Sequence, residues 1–178
     1  MNTNIVIRPV RAEDAEQYIN LTNFVWRDAY KDIFPEEVFI EREKGAIEKI
    51  KSFPGVVKNG GDYFVNVAED NGKVVGFISA RLGTNYEHFI KENIAEIMAM
   101  YILPEYQGFG LGSKFKNLFV EWLKQNNAKE FVIGVLKDNH KARKVYEKWG
   151  GKLDNYTQPF ELLGVEYDEV FYTYNLSK

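Results

Sequence analysis

The chain has 178 residues and no cysteine, which excludes disulfides, thiolate metal sites and a cysteine nucleophile. No apolar run approaches the roughly 20 residues that a membrane span requires. The first residues, "MNTNIVIRPVRAED", show no basic segment followed by an apolar one, so no secretory signal is expected. A cytoplasmic protein is the expectation, and the sequons at Asn155-Tyr156-Thr157 and Asn175-Leu176-Ser177 then carry little meaning. Charge of one sign is also missing. There are 23 Lys and Arg against 26 Asp and Glu, a net of −3, interspersed along the chain. Neither a basic nucleic-acid footprint nor an acidic tail is present.

What is present suits a globular fold: 45% hydrophobic residues, 28% charged, and 13 Phe, 11 Tyr and 3 Trp. The length fits a single domain over 1–178 with one sizeable core. "NIVIRPV" reads as a short strand. "AEDAEQYINLTNFVWRDAY" places Ala15, Ile19, Thr22 and Trp26 at helical spacing, and Tyr18, Leu21 and Val25 widen the stripe. Pro35 suits a first helical turn ahead of "EEVFIEREKGAIEKIKSF", which Gly45 divides into two parts. "PGVVKNGGD" is a loop by composition.

Two β-rich runs then flank Asn71-Gly72, the pair favoured in type I′ hairpins because both residues accept positive φ. "AEIMAMYIL" is a strand. After it, Leu111, Phe115, Leu118, Phe119, Trp122 and Leu123 fall on one face of an amphipathic helix. "EFVIGVL" is a buried strand. "DNHKARKVYEKWGG" is a short helix with Asp138 or Asn139 as N-cap and Gly150-Gly151 as its stop. "GVEYDEVFYTYNL" is a closing strand paired with part of 152–163. The order predicts an α/β (α+β) mixed sheet with helices packed on it.

Between strand and helix stands "PEYQGFGLGSK", with Gly108, Gly110 and Gly112 at alternate positions. Glycines at such a junction make an anion site, because the first N–H groups of a helix lack internal partners. A dinucleotide fingerprint would need glycine where Ser113 stands, and a P-loop would need Gly-Lys-Ser/Thr where Gly112-Ser113-Lys114 stands. Both fail.

The spacing Gln107-x-x-Gly110-x-Gly112 resembles the pyrophosphate-binding turn of the GNAT N-acetyltransferase superfamily, Arg/Gln-x-x-Gly-x-Gly/Ala. About thirty residues on, Asn139, Ala142 and Tyr146 resemble that family's Asn-x-x-Ala-x-x-x-Tyr helix. The resemblance spans about residues 62–151. It implies a mostly antiparallel, twisted sheet of about seven strands with flanking helices and a bulged central strand at an acetyl-CoA cleft.

The resemblance also implies roles. The backbone of Gln107, Gly108, Phe109, Gly110, Leu111, Gly112 and Ser113 would bind the pyrophosphate of acetyl-CoA. Met100, Tyr101 and Ile102 would meet the pantetheine arm, with a side-chain contact from Asn139. Tyr146 matches the proposed proton donor to the leaving thiolate. Glu96 stands where one branch of the family carries a catalytic base, with a water-facing edge position as the bland alternative and His88 as an outside candidate. Lys148 and Arg143 are candidates for the adenosine phosphates or for plain solvated surface.

Trp26 and Tyr30 would wall an acceptor pocket, and Glu87, Glu92 and Glu96 would suit a cationic amine. No metal is implied. The expected reaction is acetyl transfer to a primary amine, a small amine or polyamine, by direct attack in a ternary complex. A peptide N-terminus or lysine as acceptor, or a CoA-binding sensor without catalysis, are the alternatives. No nucleic-acid or membrane partner is expected, and a homodimer is compatible with the reading.

Overall fold

The structure, a computed structural model, describes residues 4–56 and 61–176, the side chains of 54–56 excepted. Its elements are β1 (Ile5–Pro9), α1 (Ala15–Tyr30), α2 (Glu36–Lys44), α3 (Ala46–Val56), β2 (Tyr63–Asp70) and β3 (Lys73–Leu82). There follow β4 (Ile94–Ile102), α4 (Leu111–Gln125), β5 (Glu130–Leu136), α5 (His140–Lys148), β6 (Lys152–Leu162) and β7 (Val165–Asn175). The strands hydrogen-bond in the order β1-β2-β3-β4-β5-β7-β6. β1 and β2, β5 and β7, and β6 and β7 pair antiparallel. β4 and β5 pair in parallel, from Ile94↔Glu130 to Ile97↔Ile133. This is the mixed, mostly antiparallel seven-stranded sheet that the sequence implied. Among the described residues, no helix is long and apolar enough to cross a membrane.

Local chemistry explains the boundaries. Asn71 (φ 51°) and Gly72 (φ 84°) both take the left-handed region, as a type I′ turn demands. Gly45 separates α2 from α3. Pro35, expected inside the first turn, is instead the N-cap, with an extended φ/ψ. The segment taken as a loop from Pro54 is helical through Val56, and its part at 57–60 lies outside the described residues. On α4, Leu111, Phe115, Phe119 and Leu123 recur every fourth residue and are all buried. Leu118 departs from the expected face: it is 44% exposed.

The chain divides into two compact units. The first comprises residues up to Ser79 together with Ala99–Leu118; the second comprises Ala80–Met98 and the residues from Phe119 onward. In the first, the Tyr18 ring stacks on Phe77 at 3.8 Å, and Tyr101 meets Phe77 edge-on at 5.5 Å. In the second, Phe131 stacks on Tyr174 at 4.2 Å, and Phe89, Ile94, Val132 and Phe171 form a buried cluster.

The first unit also buries a carboxylate. Asp14 is 3% exposed and accepts two bonds of 2.7 Å from Arg8 and one of 2.8 Å from the Arg11 N–H. Burial pushes its carboxyl up, but these donors outweigh burial and hold it below the ordinary value. Asp14→Ala strands the Arg8 charge beside Glu69 alone, at a cost of about 2–3 kcal/mol in denaturant unfolding at pH 7. Because the folded value is depressed, that stability is complete above about pH 3.9 and disappears as pH falls through the folded value. Parent and variant should therefore converge in acid. A gap below about 0.5 kcal/mol at pH 7 contradicts this account.

Candidate active site

The glycine turn lies in the first unit. Gly108 (φ 81°) and Gly110 (φ 80°) sit in the left-handed region, so a side chain at either is strained even though space around them is open. Phe109 between them is 70% exposed, which leaves the turn's backbone at the surface. α4 opens at Leu111, whose buried side chain anchors the turn, and the first internal bond into the turn runs from the Lys114 N–H to the Gly110 carbonyl at 3.0 Å. The N–H groups of Leu111, Gly112 and Ser113 precede that bond and have no helical carbonyl to meet. They are the donors an anion would use.

Gln107 braces this arrangement. Its Nε2 donates to the Ile102 carbonyl at 2.8 Å and so ties the turn to the end of β4. That carbonyl is thereby engaged, which restricts the contacts expected of Met100, Tyr101 and Ile102 to their remaining groups. The next residue, Leu103, donates its N–H to the Val75 carbonyl at 2.9 Å. Gly76 stands beside it on β3. A Cβ there would lie 3.0 Å from the Tyr101 carbonyl and 3.3 Å from the Ile102 Cα, so the close strand approach requires glycine.

The second unit carries the titratable groups. Glu96 is 6% exposed on β4, not the water-facing edge residue offered as its alternative. Its Oε2 accepts from Arg81 at 2.8 Å, from the Thr84 hydroxyl at 2.8 Å and from the Asn85 N–H at 3.4 Å. Its Oε1 takes no part in this set. Glu169, which the sequence reading did not single out, accepts from the Tyr86 hydroxyl at 3.1 Å and from Gln158 at 2.9 Å. Burial raises its carboxyl, the nearby Glu96 charge adds to the rise, and the two donors offset it only in part. Burial and the same two carboxylates push the Tyr86 hydroxyl far up, so it remains a donor.

Gly134 makes room for this pair. A Cβ on it would stand 2.5 Å from Glu169 Oε1 and 2.6 Å from the Tyr86 hydroxyl. Two signals in the sequence pointed here: a glycine inside "EFVIGVL", and an acid at 169 in phase with Tyr167 and Phe171 on an alternating strand.

α5 presents the other expected residues of this unit. Asn139 is 9% exposed and serves as N-cap, its Oδ1 accepting from the Ala142 N–H at 3.1 Å. The Tyr146 backbone is pinned, its carbonyl accepting from Gly151 N–H at 3.0 Å and from the Tyr174 hydroxyl at 2.8 Å. Its ring lies near Trp149 and Tyr172. Arg143 bonds to the Tyr172 hydroxyl and the Lys137 carbonyl, while Lys148 is exposed. His88 stacks flat on Tyr156 at 4.1 Å, with Asp154 3.6 Å away.

Trp26 and Tyr30 belong to the first unit. Trp26 is buried among Tyr30, Phe34 and Phe39, and the Arg42 guanidinium covers its ring at 4.5 Å. Glu87 and Glu92, expected to favour a cationic amine, are exposed.

Residues 20–151 match the model of the Acetyltransferase (GNAT) family, and the chain belongs to that family. An uncharacterized N-acetyltransferase of Archaeoglobus fulgidus is 34% identical over 83 residues, covering 46% of this chain and 55% of that protein. The chain spans between half and two thirds of the length of the curated relatives it matches. The PaiA N-acetyltransferase of Thermoplasma acidophilum, solved in complex with coenzyme A, superimposes with TM-score 0.65 at 21% identity, over 97% of this chain and 99% of that one. The YncA protein of Salmonella typhimurium, solved with acetyl-CoA, gives TM-score 0.66 at 18% identity, over 99% and 96%. These likenesses establish the GNAT fold.

Gly134→Ala should break the Tyr86–Glu169 hydrogen bond and cost about 1–2 kcal/mol of unfolding free energy. Loss of less than about 0.3 kcal/mol would mean that Tyr86 and Glu169 can separate without consequence.

Proposed function

We propose that the chain is an acetyl-CoA-dependent N-acetyltransferase that acetylates a primary amine by direct attack in a ternary complex. The observation that carries this reading is the turn at Gln107–Ser113, where two left-handed glycines open α4 with unpaired N–H groups. Such a turn suits the pyrophosphate of acetyl-CoA. Two structural neighbours hold CoA or acetyl-CoA, which supports the same choice of donor.

Met100 and Tyr101 offer backbone groups to the pantetheine amides, and Asn139 has its side-chain amide nitrogen left for the same arm. The acceptor is a small molecule with a primary amine, for which Trp26 and Tyr30 are the candidate contacts in the first unit. An alkylammonium of pKa about 10.4 must shed a proton before its nitrogen can attack. That proton passes to Glu96 or Glu169, directly or through one water. Glu96 offers Oε1, the oxygen outside its set of bonds to Arg81, Thr84 and Asn85, and Glu169, its carboxyl raised by burial, is the second candidate base. The nitrogen forms its bond to the acetyl carbon as the carbon–sulfur bond breaks. The departing thiolate takes a proton from the Tyr146 hydroxyl. No covalent enzyme intermediate is needed.

The test is thiol release from acetyl-CoA across a broad amine panel, with calorimetric CoA affinity measured beside it. Turnover with at least one amine supports the reading. CoA binding without turnover on any amine would make the chain a CoA sensor instead. Tyr146→Phe removes only the hydroxyl and should lower kcat roughly 10²-fold with CoA affinity intact. A kcat within about threefold of the parent leaves Tyr146 as a packing residue. Glu169→Gln and Glu96→Gln assign the base: the one that serves loses the acidic limb of the kcat/KM profile, and the other keeps the parent's profile scaled by a constant.

A further inference from the structure

Arg42 is half-buried, and no carboxylate pairs with it among the described residues. Its guanidinium lies over the Trp26 ring, and its Nε is buried without a hydrogen-bond acceptor. Trp26 is itself held at 5.0 Å by Phe34 and at 5.0 Å by Tyr30, so the guanidinium rests on a fixed platform. Four of the acids on α2 and α3 are committed elsewhere, and Glu37 is exposed. Arg27 takes Glu36 and Glu43, Lys44 takes Glu41, and Lys51 takes Glu48.

A second cation makes the imbalance worse. Lys49 stands on α3, across the Gly45 break from Arg42 on α2, and its Nζ lies 3.8 Å from where a Gly45 Cβ would stand. Partial burial, and then the Arg42 charge, lower the Lys49 ammonium from its ordinary value. Two neighbouring cations without an acid are unfavourable unless something outside the chain supplies the missing charge. Burial pushes the Tyr101 hydroxyl of β4 up, and the Arg42 charge draws it partly back. All of these groups lie within the first unit.

We propose that Arg42, assisted by Lys49, binds a carboxylate carried by the acetyl acceptor, so that the acceptor is a small amino-carboxylic acid. The inference rests on the acetyltransferase reading for the word acceptor, and on the Arg42 surroundings for the carboxylate. Arginine suits the task because its planar fork presents two parallel N–H donors to a carboxylate, and stacking on Trp26 holds that plane in place. A polyamine, carrying only positive charge, would be repelled by the same pair. Trp26 and Tyr30 then serve the acceptor by orienting its receptor, and not only as an apolar wall.

The test needs no turnover. The full chain, free and loaded with CoA, is titrated calorimetrically with a panel of N-acetyl amino acids, each beside its N-acetyl amino amide. At least one acid should bind about tenfold or more tightly than its amide, and Arg42→Met should bring the two within about twofold. No acid preference in the parent, or a preference that survives in folded Arg42→Met, overturns the proposal. Should Arg42→Met fail to fold, Arg42→Lys keeps the charge and loses the fork. Its acid preference should fall several-fold, and an unchanged ratio is equally fatal. CoA affinity in the same titrations judges the acetyltransferase reading separately, since the acid–amide comparison is complete on the free protein.

Discussion

A charge that leaves water must find a counter-charge, accept enough donors, or give up its ionisation, and the interior of this protein is arranged around that constraint. Each unit answers it in its own way. In the first, Asp14 is bound by Arg8 and a backbone N–H. In the second, Glu96 takes Arg81, Thr84 and Asn85 on a single oxygen. Glu169 has no cation, only a phenol and an amide, and its carboxyl accordingly rises. Arg42 has an aromatic face and nothing acidic. The first is a structural solution, and the second leaves one carboxylate oxygen outside its donor set. The last two leave the constraint unmet by the protein itself, and unmet charge is what a substrate or a moving proton can satisfy.

Close approach is the second theme, and glycine is its instrument. Gly108 and Gly110 bend the chain into φ values that other residues resist, and the bend exposes the first N–H groups of α4. Gly76 allows β3 to lie against the Tyr101–Ile102 backbone. Gly134 leaves room for a phenol and a carboxylate over β5, and Gly151 leaves room for the Tyr174 hydroxyl to reach the Tyr146 carbonyl. A strand or helix end gives up side-chain packing at each of these points, and a polar contact takes its place.

Much of this was legible in the residues. The Asn71-Gly72 turn, the Gly45 break, the Asn139 cap and the glycine turn all follow from local chemistry, because each is decided by neighbours in sequence. Element order followed from periodicity. What was not legible depends on pairing across long separations. Glu96 could be placed on a strand, but its burial against Arg81 and Thr84 depends on how residues 80–98 fold back on themselves. Glu169 joins Tyr86 across 83 residues, and only its phase on an alternating strand hinted at it. Arg42 looked like one more charge on a polar helix until Trp26 and the pairing of its acidic neighbours were known. Leu118 was assigned to the buried face because a six-residue stripe is wider than the row at every fourth position that α4 buries.

The claim that matters most is that Glu169, half-buried with only a phenol and an amide as donors, holds its proton more tightly than an ordinary glutamate. A titration of side-chain carboxyl carbons by NMR, with Glu169→Gln used to assign its resonance, tests this directly. Glu169 should titrate above the ordinary glutamate value of about 4.3. Its midpoint should fall when Glu96→Gln removes the neighbouring charge. A Glu169 that titrates at or below the ordinary value, or one indifferent to Glu96→Gln, contradicts the account.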